Sequence, residues 1–487
     1  MEKHFAKFKQ NIVGDDLLIT TPYGEKTMIY ADWLASGRFY KPIEDKLLNE
    51  FGPYIGNTHT ETNTTGTLMT NAYHYAQHII KKHVNADKDD VILFAGFGMT
   101  AVVNKLQRIL GLKTNSKYIT KKNIPEQETP VVFITHMEHH SNHTSWLETI
   151  CDVVVVNFDE NLLVDIKDLE LQLEKYKDRK IKIGSFSAAS NVTGIKTPVH
   201  QMAKTMHQHG GICFIDYAGA APYIDINMHP EDPMEKLDGV LFSPHKFLGG
   251  PGTSGVMIFD SKIYDRTKSP DHPGGGTVKW TNAWGEYSFV DNIEAREDGG
   301  TPGFLLAMKT ALAVKVKEQM GVENIEKREE ELLSIAFDRL EKIDKLHILA
   351  GHCKNRIGVI SFYIDDLHYN FVVKLLNDLY GIQTRGGCAC AGTYGHLLLG
   401  VSHEDSNKIS SLINQGDLSK KPGWVRLSIH PTMTNKELYI ILDAIEYIIK
   451  NYSKYEKDYT YDKHTNEFTH VSESADKTTL IKHWFDI

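Results

Sequence analysis

The sequence predicts an α/β protein, with a large domain on a mainly parallel sheet followed by a smaller α+β domain. Three observations carry this. First, seven apolar runs recur: VILFAG near 91, VVFITH near 131, VVVVNF near 153, KIGSFSA near 182, ICFIDYA near 212, GVLFSP near 239 and SGVMIF near 254. None alternates with polar residues, so each strand is buried on both faces, as in a sheet covered by helices. Second, helical segments lie between them, such as QMAKTMHQHG at 201–210, which ends on a glycine stop signal. Third, the pattern changes beyond 305. Two long helical stretches, LLAMKTALAVKVKEQMG and ENIEKREEELLSIAFDRLEKI, precede RIGVISFYI, a helix near 370 and GWVRLSIH near 423. The expected division is an N-terminal arm at 1–30, a large domain at 31–295, a small domain at 305–452 and a polar tail at 453–487. The tail ends in a short amphipathic piece, LIKHWFDI.

The bulk numbers narrow the function. A chain of 487 residues can bury a substantial core. Its net charge of −9 offers no global basic field for nucleic acid or anionic lipid. No apolar run is long enough to span a bilayer, and MEKHFAKFKQNIVGDD lacks a signal core, so a cytoplasmic location is expected. The 5 cysteines, Cys151, Cys213, Cys353, Cys388 and Cys390, are too few and too odd in number for a disulfide framework.

Chemistry concentrates at the ends of the apolar runs. LFSPHKFLGGPGTSG places Ser243, His245 and Lys246 after a buried strand, where ligands of open α/β sheets bind. A lysine desolvated there has a lowered pKa and forms a Schiff base readily. ICFIDYAGA ends a strand on Asp216, an acid able to pair with the pyridinium nitrogen of pyridoxal phosphate. FAGFGMTAVVN puts glycines between a strand and a helix, a phosphate cradle formed by the Met99 and Thr100 amides and the Thr100 hydroxyl. A dinucleotide fingerprint fits the glycines too, but it expects an acid about 20 residues on, where TNSKYITKKN has none. HMEHHSNHTSW carries four histidines without the HExxH pattern or zinc-spaced cysteines, so a single histidine stacked on an aromatic cofactor is expected and no metal. In IQTRGGCACAGTYG, Arg385 offers a fork for a carboxylate, and Cys388 or Cys390 is a candidate nucleophile beside a cation.

These elements, in this order, resemble the class V aminotransferase-fold enzymes, and within them the NifS-like cysteine desulfurase and selenocysteine lyase family, from about 28 to 445. The resemblance implies a pyridoxal-phosphate-dependent transferase fold of the aspartate aminotransferase type (fold type I). The family's Ser-Gly-His-Lys looks like Ser243-Pro244-His245-Lys246, making Lys246 the Schiff-base lysine and Ser243 and His245 phosphate ligands. Its Glu-His-His-Ala-Asn looks like Glu138-His139-His140-Ser141-Asn142, with His139 stacked on the ring. Its Ser-Asn-x-x-Gly resembles Ser190 to Gly194, placing Asn191 near the cofactor hydroxyl and substrate. Its Gly-Thr-Pro resembles Gly300-Thr301-Pro302, with Thr301 reaching the phosphate of a partner subunit in a homodimer. Its Arg-x-Gly-x-x-Cys fits Arg385 to Cys390, assigning Arg385 to the substrate carboxylate and Cys390 to sulfur transfer.

The chain also departs from that pattern. Gly219 stands where the family has Gln beside the ring hydroxyl, Met99 replaces the first Thr of the phosphate loop, and Pro244 replaces a Gly. The resemblance implies removal of sulfur from L-cysteine to give alanine and a persulfide on Cys390, with a possible sulfur-acceptor protein as partner. The rivals are other class V chemistry (selenocysteine lyase, aminotransferase, epimerase or a molybdenum-cofactor sulfurase-like activity) and an idle scaffold that keeps the fold.

Overall fold

A computed structural model describes residues 1–113, 124–472 and 481–486. The stretch TNSKYITKKN at 114–123, which bears on the dinucleotide reading, lies outside the described residues, as does most of the end of the tail.

The seven apolar runs form one sheet. Its strands are β1 (Asp90–Ala95), β2 (Val131–Thr135), β3 (Asp152–Val156), β4 (Lys182–Ser187), β5 (Ile212–Asp216), β6 (Gly239–Phe242) and β7 (Gly255–Asp260). The spatial order is β1-β7-β6-β5-β4-β2-β3. Strands β3, β2, β4, β5 and β6 are parallel; β7 runs antiparallel to both β6 and β1.

The missing polar alternation has a direct cause in the packing. Val131 and Phe133 of β2 enter one core cluster, while Val132 and Ile134 enter another on the opposite face. Ile215 and Phe214 of β5 divide in the same way, as do Ile258 and Met257 of β7. Successive side chains of a strand point to opposite faces, and here helices cover both. Burying each such side chain contributes about 1.5–3 kcal/mol.

A second, smaller sheet follows: β8 (Leu346–Ile348), β9 (Val359–Ile364), β10 (Arg385–Gly387) and β11 (Trp424–Ser428), in the order β8-β9-β11-β10. Helices Val322–Leu340, Tyr369–Tyr380 and Asn435–Asn451 pack on it through Leu332, Leu375 and Leu442. The last of these begins with a capping box: the Thr434 hydroxyl accepts from the Glu437 amide, and the Glu437 carboxylate accepts from the Thr434 amide.

The N-terminal segment and residues 459–470 are both folded onto the rest. In the expected N-terminal arm, helix Glu2–Lys9 buries Phe5 and Phe8, and Ile29–Tyr30 pairs in parallel with Ile382–Gln383. The expected polar tail contains a hairpin, β12 (Tyr459–Asp462) and β13 (Glu467–His470). Its aromatic rings pack on helix Tyr369–Tyr380, with Phe371 and Phe468 stacked at 4.8 Å. A polar average hid the alternate aromatics that make this hairpin sticky on one face.

Candidate active site

The candidate residues follow strand ends that open at one edge of the large sheet. β2 ends at Thr135, just before His139; β4 ends at Ser187, just before Asn191; β5 ends on Asp216 itself. β6 ends at Phe242, and the chain turns through Ser243 into a single helical turn, Pro244–Lys246. β1 leads through two glycines in the left-handed region, Gly96 (φ 36°) and Gly98 (φ 63°), into helix Gly98–Ile109. Gly98 has to be glycine, because a Cβ there would meet His245 at 2.8 Å and Ser243 at 2.9 Å.

These ends enclose a cavity of about 260 Å³. Met99, Thr100, His139, Asn191, Asp216, Ser243, His245, Lys246, Arg385 and Cys390 all line it. Thr301 does not line it; its hydroxyl donates to Asn57 Oδ1 at 3.3 Å, on the outside of the chain. Cys388 does not line it either, and packs beside the main core cluster.

The electrostatics are set by burial. Lys246 is pushed down to about 8, chiefly by desolvation, with Asp216 opposing and Arg426 and Arg385 adding to the fall. Asp216 is pushed up to about 7 by burial, although its Oδ1 accepts from the Ala218 amide at 2.7 Å. His139 is pushed down to about 4 by burial and by Lys246, so its imidazole is neutral near pH 7. Its Nδ1 accepts from the Ser141 amide at 3.1 Å, which leaves the ring proton on Nε2. His245 is likewise held down at about 4 by burial and Lys246.

The wall behind these groups is rigid. Glu138 is buried and accepts from the Thr135 hydroxyl (2.7 Å), the Ser187 amide and hydroxyl (3.0 and 2.6 Å) and Asn142 (2.7 Å). It thereby ties β2 to β4 immediately beneath His139. In the glycine loop, the Met99 amide donates to Ser243 Oγ at 2.8 Å, which ties the loop to the strand end that carries Lys246. Ser243 keeps its own hydroxyl proton to donate. Thr100 Oγ1 lies 2.6 Å from Ser141 Oγ.

Sequence reasoning missed two charged residues. Arg426 sits mid-strand in β11, 4% exposed, and lines the cavity. Asp32, beside β11 through a bridge to Ser428, accepts from Arg426 at 2.9 Å and from Arg385 Nε at 3.0 Å. The signal was an arginine inside an otherwise apolar strand, because a buried charge is kept only when paired.

The Cys390 loop is not extended. Ala389 (φ 48°) and Cys390 (φ 56°) both occupy the left-handed region, which costs about 1–3 kcal/mol per residue. Hydrogen bonds hold them there. The His140 amide donates to the Cys390 carbonyl at 2.8 Å, Asn191 Nδ2 to the Ala389 carbonyl at 2.6 Å, and the Gly392 amide to His140 Nε2 at 3.0 Å. Cys390 is exposed at the cavity rim.

Comparison with known proteins identifies the family. The family pattern described as Aminotransferase class-V matches residues 29–441. A probable cysteine desulfurase of Halalkalibacterium halodurans is 28% identical over 368 residues, 75% of this chain and 84% of that protein. A probable cysteine desulfurase of Staphylococcus aureus is 27% identical over 383 residues, 78% of this chain and 87% of that protein. Among solved structures, the cysteine desulfurase of Thermococcus onnurineus superposes with a TM-score of 0.70 at 21% identity, covering 87% of this chain and 95% of that one. The cysteine desulfurase CsdA of Escherichia coli gives 0.70 at 20% identity, covering 92% and 98%. At those identities the solved structures attest the fold. The match over most of the length places the chain in the class V aminotransferase family of pyridoxal-phosphate-dependent enzymes.

Proposed function

We propose that this chain is a pyridoxal-phosphate-dependent cysteine desulfurase, converting L-cysteine to L-alanine and carrying the sulfur as a persulfide on Cys390. The observation that carries the reading is that Cys390, Lys246, Asp216 and two arginines face one cavity. Its relatives include proteins named probable cysteine desulfurase.

The residues present fit the cofactor. Asn191 Oδ1 is buried at the cavity without a hydrogen-bond partner, an acceptor waiting for a ligand donor. Lys246 would hold the cofactor covalently, Asp216 would pair with the ring nitrogen, and neutral His139 would lie against the ring. Ser243, His245 and Thr100 would bind the phosphate. When bound, pyridoxal phosphate supplies an electron sink for charge developing at the substrate Cα.

The chain's own groups do the rest. Arg426 and Arg385 orient the substrate carboxylate, each using donors left free by Asp32. Lys246 Nζ takes the Cα proton and returns it to Cα once the sulfur has left; its lowered pKa leaves much of it neutral near pH 8. Cys390 Sγ attacks the substrate sulfur. A sulfur–sulfur bond forms, the substrate Cβ–S bond breaks, and its electron pair and a proton end on Cβ as alanine. An added thiol then reduces the persulfide to free sulfide and regenerates Cys390. The exposed position of Cys390 also leaves it open to a sulfur-acceptor protein.

A homodimer fits two features. Thr301 lies outside the chain's own cavity, and Phe97 at the cavity rim is 91% exposed, a ring that a second copy would cover. Among the described residues, no helix is long and apolar enough to cross a membrane.

The direct test is the purified protein with L-cysteine and a thiol reductant, following sulfide and alanine. Equal amounts of both are expected; alanine without sulfide, or neither product, contradicts the reading. A second expectation concerns the arginines. Arg426→Lys should lower kcat/KM for L-cysteine by about 1.5–3 kcal/mol, the worth of a charge-assisted pair, because a point ammonium cannot replace the fork. Arg385→Lys should cost less, since its side chain is 50% exposed. Steady-state kinetics check both, and wild-type kinetics in Arg426→Lys would remove it from the substrate site.

A further inference from the structure

We propose that the C-terminal hairpin β12–β13 is a clamp on the loop carrying Cys390, and that Asn466 is the positioning residue through which it acts. The inference rests on the desulfurase reading for its functional meaning, but its geometry stands alone.

Asn466 lies in the hairpin turn, 6% exposed, with φ at 62°. Its Oδ1 accepts from Tyr461 Oη at 2.7 Å and from His368 Nε2 at 3.1 Å. His368 Nδ1 accepts from the Asn370 amide, so Nε2 carries the proton it donates. Asn466 Nδ2 donates to Tyr369 Oη at 2.8 Å, and its carbonyl accepts from Asn370 Nδ2 at 2.6 Å. One turn residue thus bonds the side chains of His368, Tyr369 and Asn370, three consecutive residues at the start of helix Tyr369–Tyr380, inside a half-buried polar network.

That helix start is the wall of the Cys loop. Asn370 and Tyr369 crowd Gly386 so closely that no Cβ would fit there, and a Cβ on Gly423 would meet Tyr369 at 2.5 Å. Gly386 and Gly387 pair with Val425 and Trp424, and the chain leaves Gly387 directly into Cys388, Ala389 and Cys390. Tyr369 Oη also donates to the Lys421 carbonyl at 3.1 Å, just before β11.

The turn grips the other side as well. The Leu418 amide donates to the Lys463 carbonyl at 2.8 Å, Lys463 pairs with Asp417 at 3.2 Å, and His464 Nδ1 donates to the Gly416 carbonyl at 2.7 Å. Residues 391–423 leave the Cys loop and return to β11 through two helices. The hairpin therefore fastens the return of this excursion as well as the strand that launches it. Holding two consecutive non-glycine residues in the left-handed region needs such overdetermination.

The test is Asn466→Gly, which keeps the positive φ and removes the side chain. Hydrogen exchange at residues 386–392 is expected to quicken about tenfold while the central sheet is unchanged. With L-cysteine, kcat should fall about ten- to a hundredfold, the scale of an ångström-sized misplacement, with KM and cofactor absorbance unmoved. Wild-type exchange in the loop overturns the proposal, as does a uniform rise throughout the chain accompanied by cofactor loss. Should Asn466→Gly not fold, Tyr369→Phe must give the same loop-confined exchange, and wild-type exchange there overturns the clamp. If the wild-type protein releases no sulfide from L-cysteine, the desulfurase reading fails while the exchange result still decides the clamp.

Discussion

Lys246→Ala is expected to purify without covalently held pyridoxal phosphate and to lose sulfide release by at least about a thousandfold, within the range of a deleted acid–base group that also anchors a cofactor. The cause is electrostatic. Burial pushes the Lys246 ammonium down to about 8, so near neutral pH a useful fraction is an unprotonated nucleophile. Lys317 is also buried and held at about 7, yet it lies outside the cavity and its Nζ donates to the Ile224 carbonyl. A depressed pKa alone therefore does not single out a lysine for the cofactor; the proposal of Lys246 rests on the facing Asp216 and the strand-end position. Borohydride reduction of the wild-type protein followed by peptide mapping should mark Lys246, and a label on Lys317 or another lysine would sink the assignment. The same variant tests the dimer. Mixed with Thr301→Ala subunits it should regain part of the lost activity, because one of the two hybrid sites is wild type at both positions. A fully active monomer would contradict that arrangement.

What was legible in the sequence was local. Asp216 closes an apolar strand, and Lys246, His139 and Asn191 each follow one within a few residues, so the strands and the candidate site are read from the same signal. The strands themselves were legible because both of their faces are buried. What escaped depends on distant segments meeting. Arg426 reads as a charge inside GWVRLSIH, and only folding brings Asp32, far away in the chain, against it at 2.9 Å. The bond between the Met99 amide and Ser243 Oγ, two groups expected at one phosphate, likewise depends on the close approach that Gly98 allows. The hairpin at 459–470 was masked by polar composition, although Tyr459 and Tyr461 alternate along one strand and Phe468 pairs opposite Tyr461.

Cys390→Ser is expected to abolish sulfide release, about a thousandfold or more, while Cys388→Ser stays within about threefold of wild type, since only the first removes the group that forms the sulfur–sulfur bond. Spacing alone left both thiols open, because residues two apart in an extended loop point the same way. The loop is not extended. Left-handed conformations at Ala389 and Cys390 turn the chain between the two cysteines, so Cys390 reaches the cavity rim while Cys388 packs against the core. The bonds from the His140 amide and from Asn191 Nδ2 fix that turn, and Asn191 itself lines the cavity, so a group of the site also aims the thiol. Both variants should keep the cofactor absorbance, which separates loss of transfer from loss of folding. If Cys388→Ser loses sulfide release and Cys390→Ser keeps it, the assignment is reversed and the loop must rearrange on substrate binding. If neither variant loses activity, sulfur does not pass through this loop, and the cavity serves another class V reaction that uses Lys246 and Asp216 without a thiol.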